Sequence, residues 1–359
     1  MHNEWQSRIE RLHEKLVASD VDAALVTSDE NVFYFSGFTG DSTELLITVN
    51  GNYLFTDFRY TEQATSETTE FKVIETKGFD RLARINDVIT KQNIDTLGVE
   101  KNKVSIALFE NLQQDLSVST YFDVTGDIAK LRAIKSRDEL EIMQKAAKIS
   151  DATFLALIKQ IKPGITESDI EAELTYLFNK AGCGLSFKPI IASGEHSSLP
   201  HAPVTQRKIQ SGDLLTIDFG CKLRKYCTDC TRTIGIGMLA KEQEKVYDIV
   251  KLAQQTALDA VRPGITCESL DGIARNIIKD AGYGGYFGHG LGHGVGLDIH
   301  EFPRVGGGDQ TILEPGMVIT IEPGIYLKNQ FGVRIEDMCY VTQDGFKSFN
   351  LLDKALTII

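Results

Sequence analysis

The sequence predicts an α+β chain of two domains, a small α/β domain over residues 1–130 and a larger, pseudo-symmetric α+β domain over 131–359. Three observations carry this prediction. The first 130 residues alternate strand-like and helix-like runs. A basic stretch, IAKLRAIKSRDE, then ends the alternation and leads into a fresh helix start. Beyond it, the segment Ile158 to Gly182 recurs without a gap 100 residues later, as Leu258 to Gly282.

In order along the chain, Ile9, Leu12 and Leu16 recur at helical spacing and mark one face of an opening helix. AALVT (Ala23 to Thr27) follows as a buried strand, and ELLITV, YLFTD, FKVIE and TLGVE read as further strands. None of these runs carries a cluster of catalytic residue types. The domain boundary falls between Ala129 and Arg137. There Ser136 and Glu139 fit a capping box, opening a helix expected to run to about Lys162, where Pro163 and Gly164 stop it. Each copy of the repeat reads as a loop, a Thr N-cap (Thr166, Thr266), a helix and a glycine stop. Ile170 and Leu270, Leu177 and Ile277, and Phe178 and Ile278 hold the same helical face. Two copies mean two related halves rather than a solenoid, which needs three or more repeats. A cleft between such halves is a natural place for a site.

The chemistry-bearing residues sit on short apolar runs: Asp218 in LLTIDF, Asp229 in YCTDCTRT, His293 in GHGLGHGVG, Glu322 in VITIEPG and Glu336 in GVRIED. Strand alternation would put the four acids, with Thr216, Cys227, Thr231, Thr320 and Arg334, on one polar sheet face. The other face would carry Leu215, Ile217, Phe219, Ile319, Ile321, Val333 and Ile335 as core. Converging carboxylates on an apolar sheet repel one another and are costly without a cation. Four acids and one imidazole meet the count of bridging and terminal ligands for two divalent cations held roughly 3.5–4 Å apart, so the set reads as a two-metal hydrolase site. The ligands are oxygen-rich with a single nitrogen and need no thiolate. That favours Mn²⁺ or Co²⁺, with Fe²⁺ and Zn²⁺ as further options.

Composition excludes several other classes. The formal net charge of −12 argues against nucleic-acid or anionic-membrane partners and suits a site that collects cations. The first residues have no apolar signal core, and no 18-residue apolar run occurs, so a cytoplasmic protein is expected. Six scattered cysteines read as reduced thiols, and Cys227 with Cys230 forms a lone CxxC without the second pair that a zinc site needs. GHGLGHGVG lacks the Lys-Ser/Thr ending of a P-loop and the later acid of a dinucleotide site. Its glycines are expected to let backbone pass close by. Asp-Phe-Gly at 218–220 is not a kinase signature, since no HRD-type loop precedes it.

The blocks TIDFG (Thr216 to Gly220), TDCTRT (Thr228 to Thr233), GHGLGHGVGLDIHE (Gly288 to Glu301), IEPG (Ile321 to Gly324) and GVRIED (Gly332 to Asp337) resemble, in order, the signature blocks of pita-bread metallopeptidases. That family includes methionine aminopeptidase, aminopeptidase P, prolidase and creatinase. The resemblance implies a pita-bread (creatinase/aminopeptidase) catalytic domain over 131–359, preceded by a small α/β creatinase-type N-terminal domain over 1–130. It further implies that Asp218 and Asp229 hold one metal, that His293 caps the other, and that Glu322 and Glu336 join the pair. Glu322 is then the acid that relays a proton from the nucleophile. By the same resemblance His289 and His300 flank the metals and contact substrate, and His201, in SGEHSSLPHAP, approaches from the other half. His196 stands where the family commonly has an amide and is given no role. Arg334 is read as orienting carboxylates, and His2 and His13 as surface residues.

Within the family, the 130-residue front domain argues against methionine aminopeptidase, and the complete acidic set argues against creatinase. What remains is hydrolysis of an Xaa-Pro bond in small peptides with proline in second position. The reading leans towards aminopeptidase P, with the Xaa-Pro dipeptidase, prolidase, as the alternative. A metal-free peptide-binding protein of the same fold is a remote third reading, whose mark would be a lost ligand; none is lost. The family's front domains often mediate dimers, which implies a homodimer.

Overall fold

The computed structural model describes residues 2–359, with side chains from residue 4 onward, so the His2 side chain lies outside the described residues. The chain falls into two compact units, residues 1–132 and 133–359.

The first unit is built on one six-stranded mixed sheet. Its centre is Ala23–Val26, antiparallel to Glu44–Thr48 and parallel to Thr96–Val99; Gly51–Asp57 and Lys72–Thr76 extend one side, Thr120–Asp123 the other. All five strands expected here are present, and the sixth, Thr120–Asp123, is an addition. Its sequence, TYFD, is too short and too exposed to show a pattern. Ala23, Leu25, Leu46, Phe55, Leu97 and Val99 meet Ile85 and Ile89 of the helix Arg81–Gln92 in one core. The opening helix His2–Ala18 buries Ile9, Leu12 and Leu16 as its spacing requires. His13 is half-buried on that helix rather than at the surface, because burial encloses its Nε2 without a partner.

The second unit opens with Arg137–Leu157, and Ser136 and Glu139 form the expected reciprocal cap. That helix ends a turn before Lys162. Residues 158–160 unwind into turns ahead of Pro163, consistent with the bias of residues before proline away from helix.

The repeat is two structural copies. Thr166 and Thr266 cap the helices Glu167–Lys180 and Cys267–Asp280, each accepting a backbone N–H three residues on. Gly182 and Gly282 take φ of +76° and +90° just past the helix ends, a conformation that suits glycine. Ahead of each helix a short backbone ladder forms, Gly164 donating to Ile209 and Gly264 to Leu313. Nine residues beyond Ile209 is Asp218, and nine beyond Leu313 is Glu322, so the pseudo-symmetry brings one carboxylate from each half to equivalent places. Each half has its own core, one around Leu174, Phe178, Ile217 and Phe219, the other around Leu270, Ile278, Ile319 and Ile321. Replacing Thr166 or Thr266 by Ala is expected to destabilise this unit by about 1 kcal/mol each, read as a lower denaturation midpoint at unchanged slope.

Candidate functional site

The five candidate metal-ligating side chains meet in the second unit, at the floor of a cavity of about 640 Å³. Leu215, Ile217, Phe219, Ile319, Ile321, Val333 and Ile335 are fully buried, as alternation requires. The acids themselves depart from it. Only Asp218 lies inside a regular strand, Leu214–Phe219, where it faces Thr231. Asp229 sits in the break between Tyr226–Cys227 and Cys230–Gly235, Glu322 just after Val318–Ile321, and Glu336 between Phe331–Arg334 and Asp337–Val341. Strand breaks re-aim a side chain that a continuous pleat would fix. Cys227 correspondingly turns away from Asp229 and donates to Leu297 O, while Cys230 donates to Glu336 O; all six cysteines are free and buried. The polar face is not a surface either: Thr231, Thr320 and Glu336 are at most 1% exposed.

His293 occupies the middle of Gly292–Gly294, where the pairing register slips. Its Nδ1 lies 3.0 Å from Gly294 O and donates to it, which leaves Nε2 as the acceptor facing Glu322 Oε1 at 3.3 Å and Asp229 Oδ2 at 3.6 Å. Burial holds the imidazole down at about 4, keeping it neutral and able to ligate. Ligand atoms of Asp229, His293 and Glu336 lie within 4.8 Å of one another. Gly292 allows this packing, since a Cβ there would run into the Thr320 carbonyl. Gly292→Ala is accordingly expected to cost about 1–3 kcal/mol through overpacking, measurable as a fall in melting temperature.

The electrostatics of the floor call for cations. Burial, with Glu336 and Asp218 nearby, holds Asp229 well above the usual carboxylate range, and burial with Glu322 nearby does the same to Glu336. Glu322 is pushed up to about 8, chiefly by burial, against the opposing pull of Arg334. Asp218 Oδ1, Asp229 Oδ1 and Glu336 Oε1 are buried without a hydrogen-bond partner, while the second oxygens of Asp218 and Glu336 take Arg334 and Thr231. One oriented oxygen left open on each of three carboxylates, beside one neutral imidazole, fits hard divalent cations.

A second layer holds these ligands. Arg334 donates through Nη2 to Asp218 Oδ2 at 2.7 Å, and through Nη1 to Tyr326 Oη at 3.0 Å. Tyr326 in turn donates to His289 Nε2 at 3.0 Å, and His289 Nδ1 donates to Gly290 O at 2.8 Å. Both ring nitrogens of His289 are thereby engaged within the protein. His300 packs edge-on against His293, ring centres 4.4 Å apart. His201 lines the cavity from the loop between Gly194–Ser198 and Leu214–Phe219, as expected from the other half.

His196, left without a role above, belongs to the anchorage of that loop. The fully buried Glu167 carboxylate accepts from the N–H and O–H of both Ser193 and Thr205, and from His196 Nδ1 at 3.2 Å. Tyr326 and Glu167 escaped sequence reasoning, because a lone Tyr in GIYL and a Glu at a helix start carry no pattern of their own. Glu167 is the first residue of its helix, a position that is ordinarily exposed.

A cavity that closes on open carboxylates, between two halves of one repeated unit, defines a metal-dependent hydrolase. The chain belongs to metallopeptidase family M24, whose pattern matches residues 141–343, and residues 8–134 match the Creatinase/Prolidase N-terminal domain. The pita-bread fold and the creatinase-type front domain are therefore those the sequence implied. The chain is 39% identical to the Xaa-Pro dipeptidase of Pyrococcus furiosus over 98% of its own length and 99% of that protein's. Among solved structures, the Xaa-Pro dipeptidase from Bacillus anthracis superposes with a TM-score of 0.96 at 34% identity, covering 99% of this chain and 100% of that one. The X-Pro aminopeptidase from Thermotoga maritima gives 0.89 at 36% identity, covering 95% and 98%. No helix of the described residues is long and apolar enough to cross a membrane.

Proposed function

We propose that this chain is an Xaa-Pro dipeptidase, a prolidase, working with two divalent cations held by Asp218, Asp229, His293, Glu322 and Glu336. The observation that carries the reading is the full-length likeness to the Xaa-Pro dipeptidases of Pyrococcus furiosus and Bacillus anthracis. It reverses the leaning of the sequence towards aminopeptidase P. The likeness to the X-Pro aminopeptidase of Thermotoga maritima keeps cleavage of Xaa-Pro-Yaa as the second reading. Mn²⁺ or Co²⁺ is proposed from the hard, oxygen-rich ligand set.

When bound, such cations make water a nucleophile near neutral pH and polarise the scissile carbonyl. The residues of the chain do the rest. His293 offers Nε2 because its Nδ1 proton is committed to Gly294 O. Arg334 orients Asp218 through a 2.7 Å hydrogen bond, leaving Oδ1 open. Glu322, whose Oε1 also accepts from Thr320 Oγ1 at 3.2 Å, takes the proton of the attacking water and passes it to the departing proline nitrogen. His201 and His300 stand at the cavity as donors to the developing oxyanion. Proline offers no N–H to an extended-strand reader, and the apolar walls formed by Pro189, Ile190, Pro200, Pro203 and Val204 suit its ring.

Hydrolysis of an Xaa-Pro dipeptide and an Xaa-Pro-Yaa tripeptide, side by side with Mn²⁺ restored to chelator-treated protein, tests this. Cleavage of the dipeptide is expected to dominate; cleavage of the tripeptide alone would instead establish the aminopeptidase. A cytoplasmic location and a homodimer complete the proposal, supported by six free, buried cysteines and by the family's use of its front domain. Sedimentation finding only monomer at micromolar concentration would remove the dimer.

A further inference from the structure

Asp271 and Arg275 lie one turn apart on the helix Cys267–Asp280, outside the cavity lining. Their ion pair is bidentate, Nε to Oδ2 at 2.7 Å and Nη2 to Oδ1 at 2.9 Å. Such an i,i+4 pair is worth little by itself, but this one reaches further. Arg275 donates through Nη1 to Phe287 O at 2.9 Å and through Nη2 to His289 O at 2.8 Å, while Asp271 Oδ1 accepts from Leu291 N at 3.0 Å. The guanidinium also lies 4.3 Å over the Phe287 ring, which meets the His289 ring edge-on at 5.0 Å. One buried carboxylate and one arginine thus grip the backbone on both sides of His289, and the arginine packs on the Phe287 ring that in turn meets the His289 ring.

Helix packing alone does not require the pair. The equivalent positions in the first copy of the repeat are Glu171 and Thr175, where the Thr175 hydroxyl only bonds back to the Glu171 carbonyl. The clamp belongs to the copy followed by His289. With both ring nitrogens of His289 engaged, its position is transmitted to Tyr326, from Tyr326 to Arg334, and from Arg334 to Asp218 Oδ2.

We propose that Asp271 and Arg275 are positioning residues, fixing the Phe287–Leu291 backbone so that His289 holds Tyr326 and Arg334 in the arrangement that orients Asp218. The activity readout rests on the peptidase reading above, and the cation readout does not. The test uses the full chain and the variants Arg275→Lys, Tyr326→Phe and their double. It measures kcat and KM on an Xaa-Pro dipeptide with Mn²⁺, and the Mn²⁺ concentration giving half-maximal thermal stabilisation of chelator-treated protein. Lysine keeps the charge beside Asp271 but cannot span two carbonyls. Arg275→Lys is expected to lower kcat about 10–100-fold and to raise the half-maximal Mn²⁺ concentration about tenfold. The double variant is expected to be no worse than Tyr326→Phe alone, since both cut one chain of contacts. Ethylguanidinium added to Arg275→Ala, whose site is one-third exposed in the parent, should restore part of both losses. Losses that multiply in the double variant, or wild-type kcat and Mn²⁺ response in Arg275→Lys, would overturn the proposal. A wild type that does not cleave the dipeptide refutes the dipeptidase reading instead, and the Mn²⁺ response then decides the clamp alone.

Discussion

Replacing His293 by Ala is expected to abolish peptide hydrolysis while leaving the fold intact. His293 is the one nitrogen donor among four acids, and its Nε2 is aimed at Asp229 and Glu322 by the bond from Nδ1 to Gly294 O. Without it, one of the two proposed cations would lose its nitrogen ligand, and the floor would keep only carboxylates that repel one another. The fold survives because the imidazole is neutral and partly open to the cavity. Asp229→Ala should behave alike and should relieve repulsion from Glu336 and Asp218. Circular dichroism and thermal melting check the fold, and peptide cleavage checks turnover. Full activity in either variant would sink the site assignment, and loss of fold would show that the residue is structural.

The second large effect is on stability without metal. Glu322 is raised from 4.5 to about 8, and Asp229 and Glu336 are raised as well. A carboxyl whose folded value lies above its unfolded one contributes stability fully present below the unfolded value and lost as pH rises through the folded one. Chelator-treated protein should therefore melt at progressively lower temperature from about pH 5 to beyond pH 8, because all three acids must ionise next to each other. Divalent cations displace those protons, so the gap between loaded and stripped protein should widen with pH. At a hundredfold excess over Kd, one cation is worth about 2.7 kcal/mol, on the order of 5–10 °C for a domain of this size. A stripped protein whose melting temperature is flat over this range would contradict the buried-acid account.

Much of this was legible in the sequence because the signals were local and repeated. Thr166 and Thr266 cap helices because a side-chain oxygen before a periodic run has one favourable use there. The gapless repeat implied two related halves, and through it Asp218 and Glu322 take equivalent places. Strand alternation picks out acids that the fold brings to one cavity, but for an incomplete reason. It needed Asp229, Glu322 and Glu336 to lie within continuous strands, whereas all three sit where a strand breaks. Alternation reports burial of the neighbours, such as Ile321 and Ile335, and is blind to a strand end that re-aims the next side chain. The contacts through Tyr326, Glu167, Asp271 and Arg275 were out of reach for another reason. Apart from the i,i+4 pair of Asp271 and Arg275, their partners lie 8 to 38 residues away, and nothing in GIYL or SLDGIAR differs from an ordinary strand or a surface helix.

The most direct test of the central claim is anomalous diffraction from crystals grown with Mn²⁺, collected at the manganese edge. Two anomalous peaks enclosed by Asp218, Asp229, His293, Glu322 and Glu336 are the result this account predicts. No peak there, or a single one lying away from His293, would contradict it.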